Sequence, residues 1–88
     1  MASYNIQWEA RAARELRSID RVQAQQILKA IIRLKDNPDL GKRLKGRFKS
    51  FRRLRVGDYR VIYYPKKREL IILVLRVAKR AEAYHNYT

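Results

Sequence analysis

The sequence predicts an α+β domain of order β-α-α-β-β-β, with a helical hairpin packed on one face of a small, mostly antiparallel four-stranded sheet. Three observations lead there. The run Phe51 to Tyr64 reads as two short strands around Gly57-Asp58, the signature of a two-residue hairpin. Ala24, Ile27, Leu28, Ile31 and Leu34 recur at helical spacing and commit one helix face to a core. Leu70 to Val77 is apolar on both faces except at Arg76, as befits a strand inside a sheet.

Taken in order, Tyr4-Asn5-Ile6-Gln7-Trp8 alternates apolar and polar residues, so a half-buried first strand is expected, with Trp8 as a packing residue. Glu9 to about Arg17 is alanine-rich and helix-prone, with Ala12, Ala13 and Leu16 on a narrow apolar face. Ser18-Ile19-Asp20 breaks it, and Asp20 with Gln23 has the form of a capping box opening the second helix. Arg21, Gln25, Lys29 and Arg33 read as that helix's solvated face, without a function. Asn37-Pro38 stops the helix, because the residue before a proline disfavours the α region. Asp39 to Arg43 reads as a loop bent at Gly41, and Pro65 to Arg68 as a turn before the last strand. The apolar last strand belongs inside the sheet, giving the order first strand, last strand, second hairpin strand, first hairpin strand. Which face Arg76 takes is open, since one residue more or less in the preceding turn flips it.

At 88 residues the chain is expected to form one domain, 1–88, with a modest core. It contains no cysteine and a single histidine, His85, which excludes disulfides, thiolate catalysis and cysteine or histidine metal cages. No signal peptide is recognisable, and the longest apolar run, Leu70 to Leu75, is too short for a membrane span. A cytoplasmic protein without cofactor or membrane partner is the expectation. The net charge is +14, and it is lopsided: residues 1–41 contribute +2 and residues 42–88 contribute +12. From Lys42 to Arg55 eight of fourteen residues are basic and none is acidic, which points to a polyanionic partner, nucleic acid or an acidic protein.

Counting outward from Gly57-Asp58 pairs Val56 with Tyr59, Arg55 with Arg60, Leu54 with Val61 and Arg53 with Ile62. Leu54, Val56, Tyr59, Val61 and Tyr63 then share an apolar face, while Arg53, Arg55 and Arg60 share the other, flanked by Phe51, Ile62 and Tyr64. Like charges directly opposed across strands destabilise a sheet by tenths of a kcal/mol up to about 1 kcal/mol. Folding therefore gains nothing from Arg55 against Arg60, whereas phosphate does, because the guanidinium fork grips its oxygens in pairs.

Leu44-Lys45-Gly46, the run Arg53-Leu54-Arg55-Val56-Gly57-Asp58-Tyr59-Arg60-Val61-Ile62-Tyr63, and then Arg80 and Tyr84 resemble the RelE branch of the RelE/ParE toxins of toxin–antitoxin systems. The resemblance spans nearly the whole chain, and the Arg-Leu-Arg-x-Gly-Asp-Tyr-Arg run is its specific part. It implies a toxin that enters the ribosomal A site and cuts messenger RNA without a metal, held inactive by a RelB-like acidic antitoxin in a hetero-oligomer. It assigns Arg60 to the scissile phosphate, Arg53 to a basic cleft position that is lysine in well-known members, Arg80 to a second catalytic arginine and Tyr84 to the C-terminal tyrosine, with Tyr87 as its rival. Lys45, Lys49, Arg52 and Arg55 are the expected RNA-binding residues, and Phe51 and Tyr64 are alternative stacking surfaces. The proton acceptor is open between Lys49 and His85, since arginine stays protonated and Arg53 cannot serve. Two other readings remain: a ParE-like gyrase inhibitor, whose family members share the fold but generally lack this arginine and tyrosine set, and a non-catalytic RNA- or antitoxin-binding protein.

Overall fold

A computed structural model describes residues 3–79. Strand β1 (Asn5–Trp8) leads into helices α1 (Ala10–Arg17) and α2 (Arg21–Arg33), followed by β2 (Lys42–Arg43), β3 (Arg52–Val56), β4 (Tyr59–Lys66) and β5 (Ile71–Lys79). They form one mixed sheet in the order β1-β5-β4-β3-β2, in which only the β1–β5 pair is parallel. The four expected strands thus lie in the expected order, but the sheet has five strands rather than four. The addition is β2, which pairs Lys42 with Arg53 and Arg43 with Arg52 at the edge, where a loop was expected. Two charged residues show no alternation, so nothing in their pattern marks a strand.

Gly57 adopts φ +59°, which an L side chain resists, and allows the two-residue turn between β3 and β4. The register that follows is the expected one from Val56↔Tyr59 to Arg53↔Ile62, and the pairing continues to Arg52↔Tyr63. Leu54, Val56, Tyr59, Val61 and Tyr63 accordingly face the helices. They pack there with Ala12, Ile27, Ile31, Leu34, Ile72, Val74 and Val77, and Ile6 and Trp8 close the core from β1. Full burial of side chains such as Ile27 and Ile31 contributes roughly 1.5–3 kcal/mol each.

The helical joint follows the sequence. Ser18 Oγ donates to the Glu15 carbonyl, and the Asp20 carboxylate accepts from the Gln23 N–H at 3.3 Å. Two details differ from expectation. Leu28 is 37% exposed, so the buried stripe of α2 narrows to Ile27, Ile31 and Leu34. The helix also ends at Arg33, ahead of Asn37-Pro38, because the N–H groups of Leu34 and Lys35 bond back to carbonyls three residues earlier and tighten the chain into turns.

Strand β5 contains a bulge. Ile62 pairs with Arg76 and Tyr63 with Val74, leaving Leu75 without a partner across the ladder. Val74 and Val77, three apart, therefore both reach the helix-side core. Arg76, paired with Ile62 across the ladder, donates from its guanidinium to both Glu15 carboxylate oxygens on α1 at 2.8–3.2 Å, and Glu15 also accepts the Val77 N–H at 2.9 Å. On the opposite sheet face Leu44, Ile62 and Ala78 form a second, smaller apolar cluster with Phe48, Phe51 and Leu75.

Candidate functional site

The hairpin register places Arg55 against Arg60, and β2 sets Lys42 beside Arg53. Beyond Arg53 the β3 edge has no neighbouring strand, and an open cleft of 520 Å³ wraps around it. Its cations are Arg53, Arg55 and Arg60 from the hairpin, Lys42 from β2 and Arg33 from the last turn of α2. Leu40, Leu54 and the Gly41 backbone complete the wall, and no carboxylate lines it among the described residues.

Arg60 is the most deeply set of these cations, 7% exposed. Its Nη1 donates to its neighbour's carbonyl, that of Tyr59, at 3.2 Å, and no ion pair joins it to a carboxylate among the described residues. Burying a guanidinium without a counter-charge costs folding energy, so this arrangement favours an anionic guest.

The loop before β2 is clamped from beneath. Tyr63, fully buried, accepts the Gly41 N–H at 2.9 Å and donates to the Pro38 carbonyl at 2.8 Å. Burial pushes its phenol above the ordinary 10.0, against the lowering effects of the Gly41 hydrogen bond and the Arg52 charge. Arg52 Nη1 donates to the carbonyls of Gly41 (2.6 Å) and Asp39 (3.3 Å), and Nη2 pairs with Asp39 Oδ1 at 3.3 Å. Lys67 meets the same carboxylate at 3.0 Å. Gly41 fits because it lacks a side chain: a Cβ would run into the Arg53 carbonyl and meet the Tyr63 ring at 2.9 Å.

The residues singled out from the sequence therefore separate. Arg53, Arg55 and Arg60 converge in the cleft. Arg52 is on the helix side of β3, its fork engaged by the loop. Lys49 lines a different depression of 380 Å³, with Arg43, Arg52, Tyr64 and Lys67. Lys45 is exposed ahead of a single 3-10 turn, Gly46–Phe48. Phe51 sits between Phe48 and Tyr64, at ring-centroid distances of 6.0 and 5.5 Å, while Arg47 covers Phe48 at 4.9 Å. Arg80, Tyr84, His85 and Tyr87 lie outside the described residues. Lys42 opens the basic run without being singled out in it, and Arg33 was not anticipated: it reads as surface on its helix, and only the packing of α2 against β3 brings it to the cleft. Among the described residues no three His, Cys, Asp or Glu side chains gather as metal ligands do, and no helix is long and apolar enough to cross a membrane.

Residues 6–84 match the family model of the ParE toxin of type II toxin–antitoxin system, parDE. No curated protein matches the chain. Among solved structures it is similar to the RelBE2 toxin–antitoxin complex of Mycobacterium tuberculosis, with a TM-score of 0.80 and 24% identity, covering 89% of this chain and 99% of that one. The isolated E. coli RelE toxin gives a TM-score of 0.78 at 20% identity, covering 93% and 92%. The chromosomal ParDE system of P. aeruginosa gives 0.68 at 16%, covering 88% and 96%. These likenesses establish the shared fold, and the family model extends over most of the sequence. The chain belongs to the ParE toxin family of type II toxin–antitoxin systems, within the RelE/ParE superfamily.

Proposed function

We propose that this protein is a ribosome-dependent endoribonuclease toxin, cutting messenger RNA by attack of a ribose 2′-hydroxyl on the adjacent phosphorus. The observation that carries this reading is Arg60, buried, in a cleft where the described residues supply no carboxylate partner and only cationic charge. The reaction leaves a cyclic phosphate and a 5′-hydroxyl, and its phosphorane gathers negative charge beyond that of the ground state. Arg60 supplies fixed positive charge there, supported by Arg53 and Arg55, and the ribosome contributes alignment of the strand. Arg80 and Tyr84 join the site on the strength of the family resemblance. An acidic antitoxin, the counterpart of the partner in the RelBE2 complex, silences the toxin by covering the same cations.

Losing one such contact costs about 3 kcal/mol, a hundredfold in rate. Arg60→Ala is therefore expected to relieve growth arrest and to slow cleavage in a toeprinting assay on translating ribosomes about a hundredfold. A second reading, inhibition of DNA gyrase without chemistry of its own, is favoured by the description of the matching family model. Arrest of supercoiling with messenger RNA left intact would decide for it.

A further inference from the structure

We propose that Lys42 is the proton acceptor of the cleft, a catalytic base carried by the two-residue edge strand β2. The inference rests on the ribonuclease reading above and names the group that reading leaves open.

Position comes first. Lys42 lies directly across from Arg53, and residues so paired point to the same side of a sheet. Leu44, two residues on, packs with Ile62 and Ala78 on the face away from the helices, so alternation places Lys42 on that face too, with Arg53, Arg55 and Arg60. Strand β2 buries almost nothing, both its residues being exposed. It is nevertheless fixed at both ends: Tyr63 and Arg52 hold Gly41 before it, and the Leu44 N–H bonds the Phe51 carbonyl at 3.0 Å after it. Buried Leu44 and half-buried Leu40 flank the strand, so its two exposed cations are held in fixed places, one of them at the cleft.

Chemistry then selects Lys42. Among the described residues the other four cleft cations are guanidiniums, which keep their protons at any physiological pH. The lysine amine is the one cleft-lining side chain among the described residues able to exist as a neutral base, and it makes no hydrogen bond or ion pair among them. Its four-carbon stem can follow the 2′-hydroxyl as the bond forms. In the step, the 2′-hydroxyl proton passes to the neutral Lys42 amine while its oxygen bonds to phosphorus. The P–O5′ bond breaks, and the 5′ oxygen leaves with the electron pair and takes a proton from water. The Lys42 ammonium returns its proton to solvent.

The test is Lys42→Arg, which keeps the charge and removes the base, with Lys42→Met as its uncharged counterpart. Single-turnover cleavage of ribosome-bound messenger RNA is followed against pH, alongside affinity for the programmed ribosome and the urea midpoint of each variant. Lys42→Arg is expected to cut at least a hundredfold more slowly, to bind within about twofold of the unaltered protein, and to lose the rising limb of the pH–rate profile. Lys42→Met should lose the same limb and bind more weakly. Cleavage by Lys42→Arg within about threefold of the unaltered protein, on the same pH profile, overturns the assignment and leaves the nuclease reading standing. An unaltered protein that leaves ribosome-bound messenger RNA intact overturns both.

Discussion

Replacing Tyr63 by Phe isolates the clamp beneath the cleft. The ring stays in its buried site, and only the hydroxyl between Gly41 and Pro38 is lost. The buried Gly41 N–H is then unsatisfied, at a cost of about 1–3 kcal/mol, while the Pro38 carbonyl, partly within reach of water, loses about 0.5 kcal/mol. The sum, roughly 1.5–3.5 kcal/mol, is a large share of the stability of a domain this size. It corresponds to a fall in Tm of roughly 10–20 °C. Urea titration at pH 7 should show a lower midpoint with an unchanged m-value. The pH dependence has a definite sign. Because the folded phenol is held above its ordinary 10.0, the native state keeps a proton that the unfolded chain gives up. Its contribution is whole below about pH 10 and declines as the pH rises from the unfolded value toward the folded one. The stability gap between the two proteins should therefore narrow above pH 10, the remaining tyrosines titrating alike in both. A loss below about 0.5 kcal/mol at pH 7, or a gap that widens in alkali, refutes the clamp.

Gly41→Ala should destabilise by roughly 1–3 kcal/mol through overpacking against the Arg53 backbone, and amide exchange should quicken at Leu44 as β2 is pushed from β3. Gly57→Ala has free space around the added methyl, so its expected cost of roughly 1–2 kcal/mol is purely conformational, readable as a shift in urea midpoint. Glu15→Ala removes the carboxylate shared by Arg76, whose side chain is 4% exposed, and the Val77 N–H; about 3 kcal/mol should be lost, readable as a lower urea midpoint.

The hairpin was legible because a single dipeptide, Gly57-Asp58, fixes four cross-strand pairs by counting, and the convergence of Arg53, Arg55 and Arg60 follows from that count. The count could not reveal what depends on the third dimension. Arg33 reaches the cleft because α2 ends beside the β3 edge, which its helical period does not encode. Arg52 shares the basic run with Arg53, yet alternation turns it to the helix side, where loop carbonyls are the nearer acceptors. The phase of Arg76 depended on an unpaired Leu75 that no residue preference announces.

That supernumerary leucine gives β5 two independent halves. Before it, Ile72 and Val74 answer to the helices; after it, Val77 still does so, although simple alternation would have turned it outward. Ala78 comes to rest opposite Arg60, where a methyl group leaves room for a folded guanidinium. Were Leu75 instead paired in step with Ile62, Val77 rather than Ala78 would stand opposite Arg60, setting a bulky branched side chain against the arginine. Because the slip is confined to one residue, substitutions that repack the hydrocarbon layer near Ile72 can accumulate without re-aiming the strand's far end.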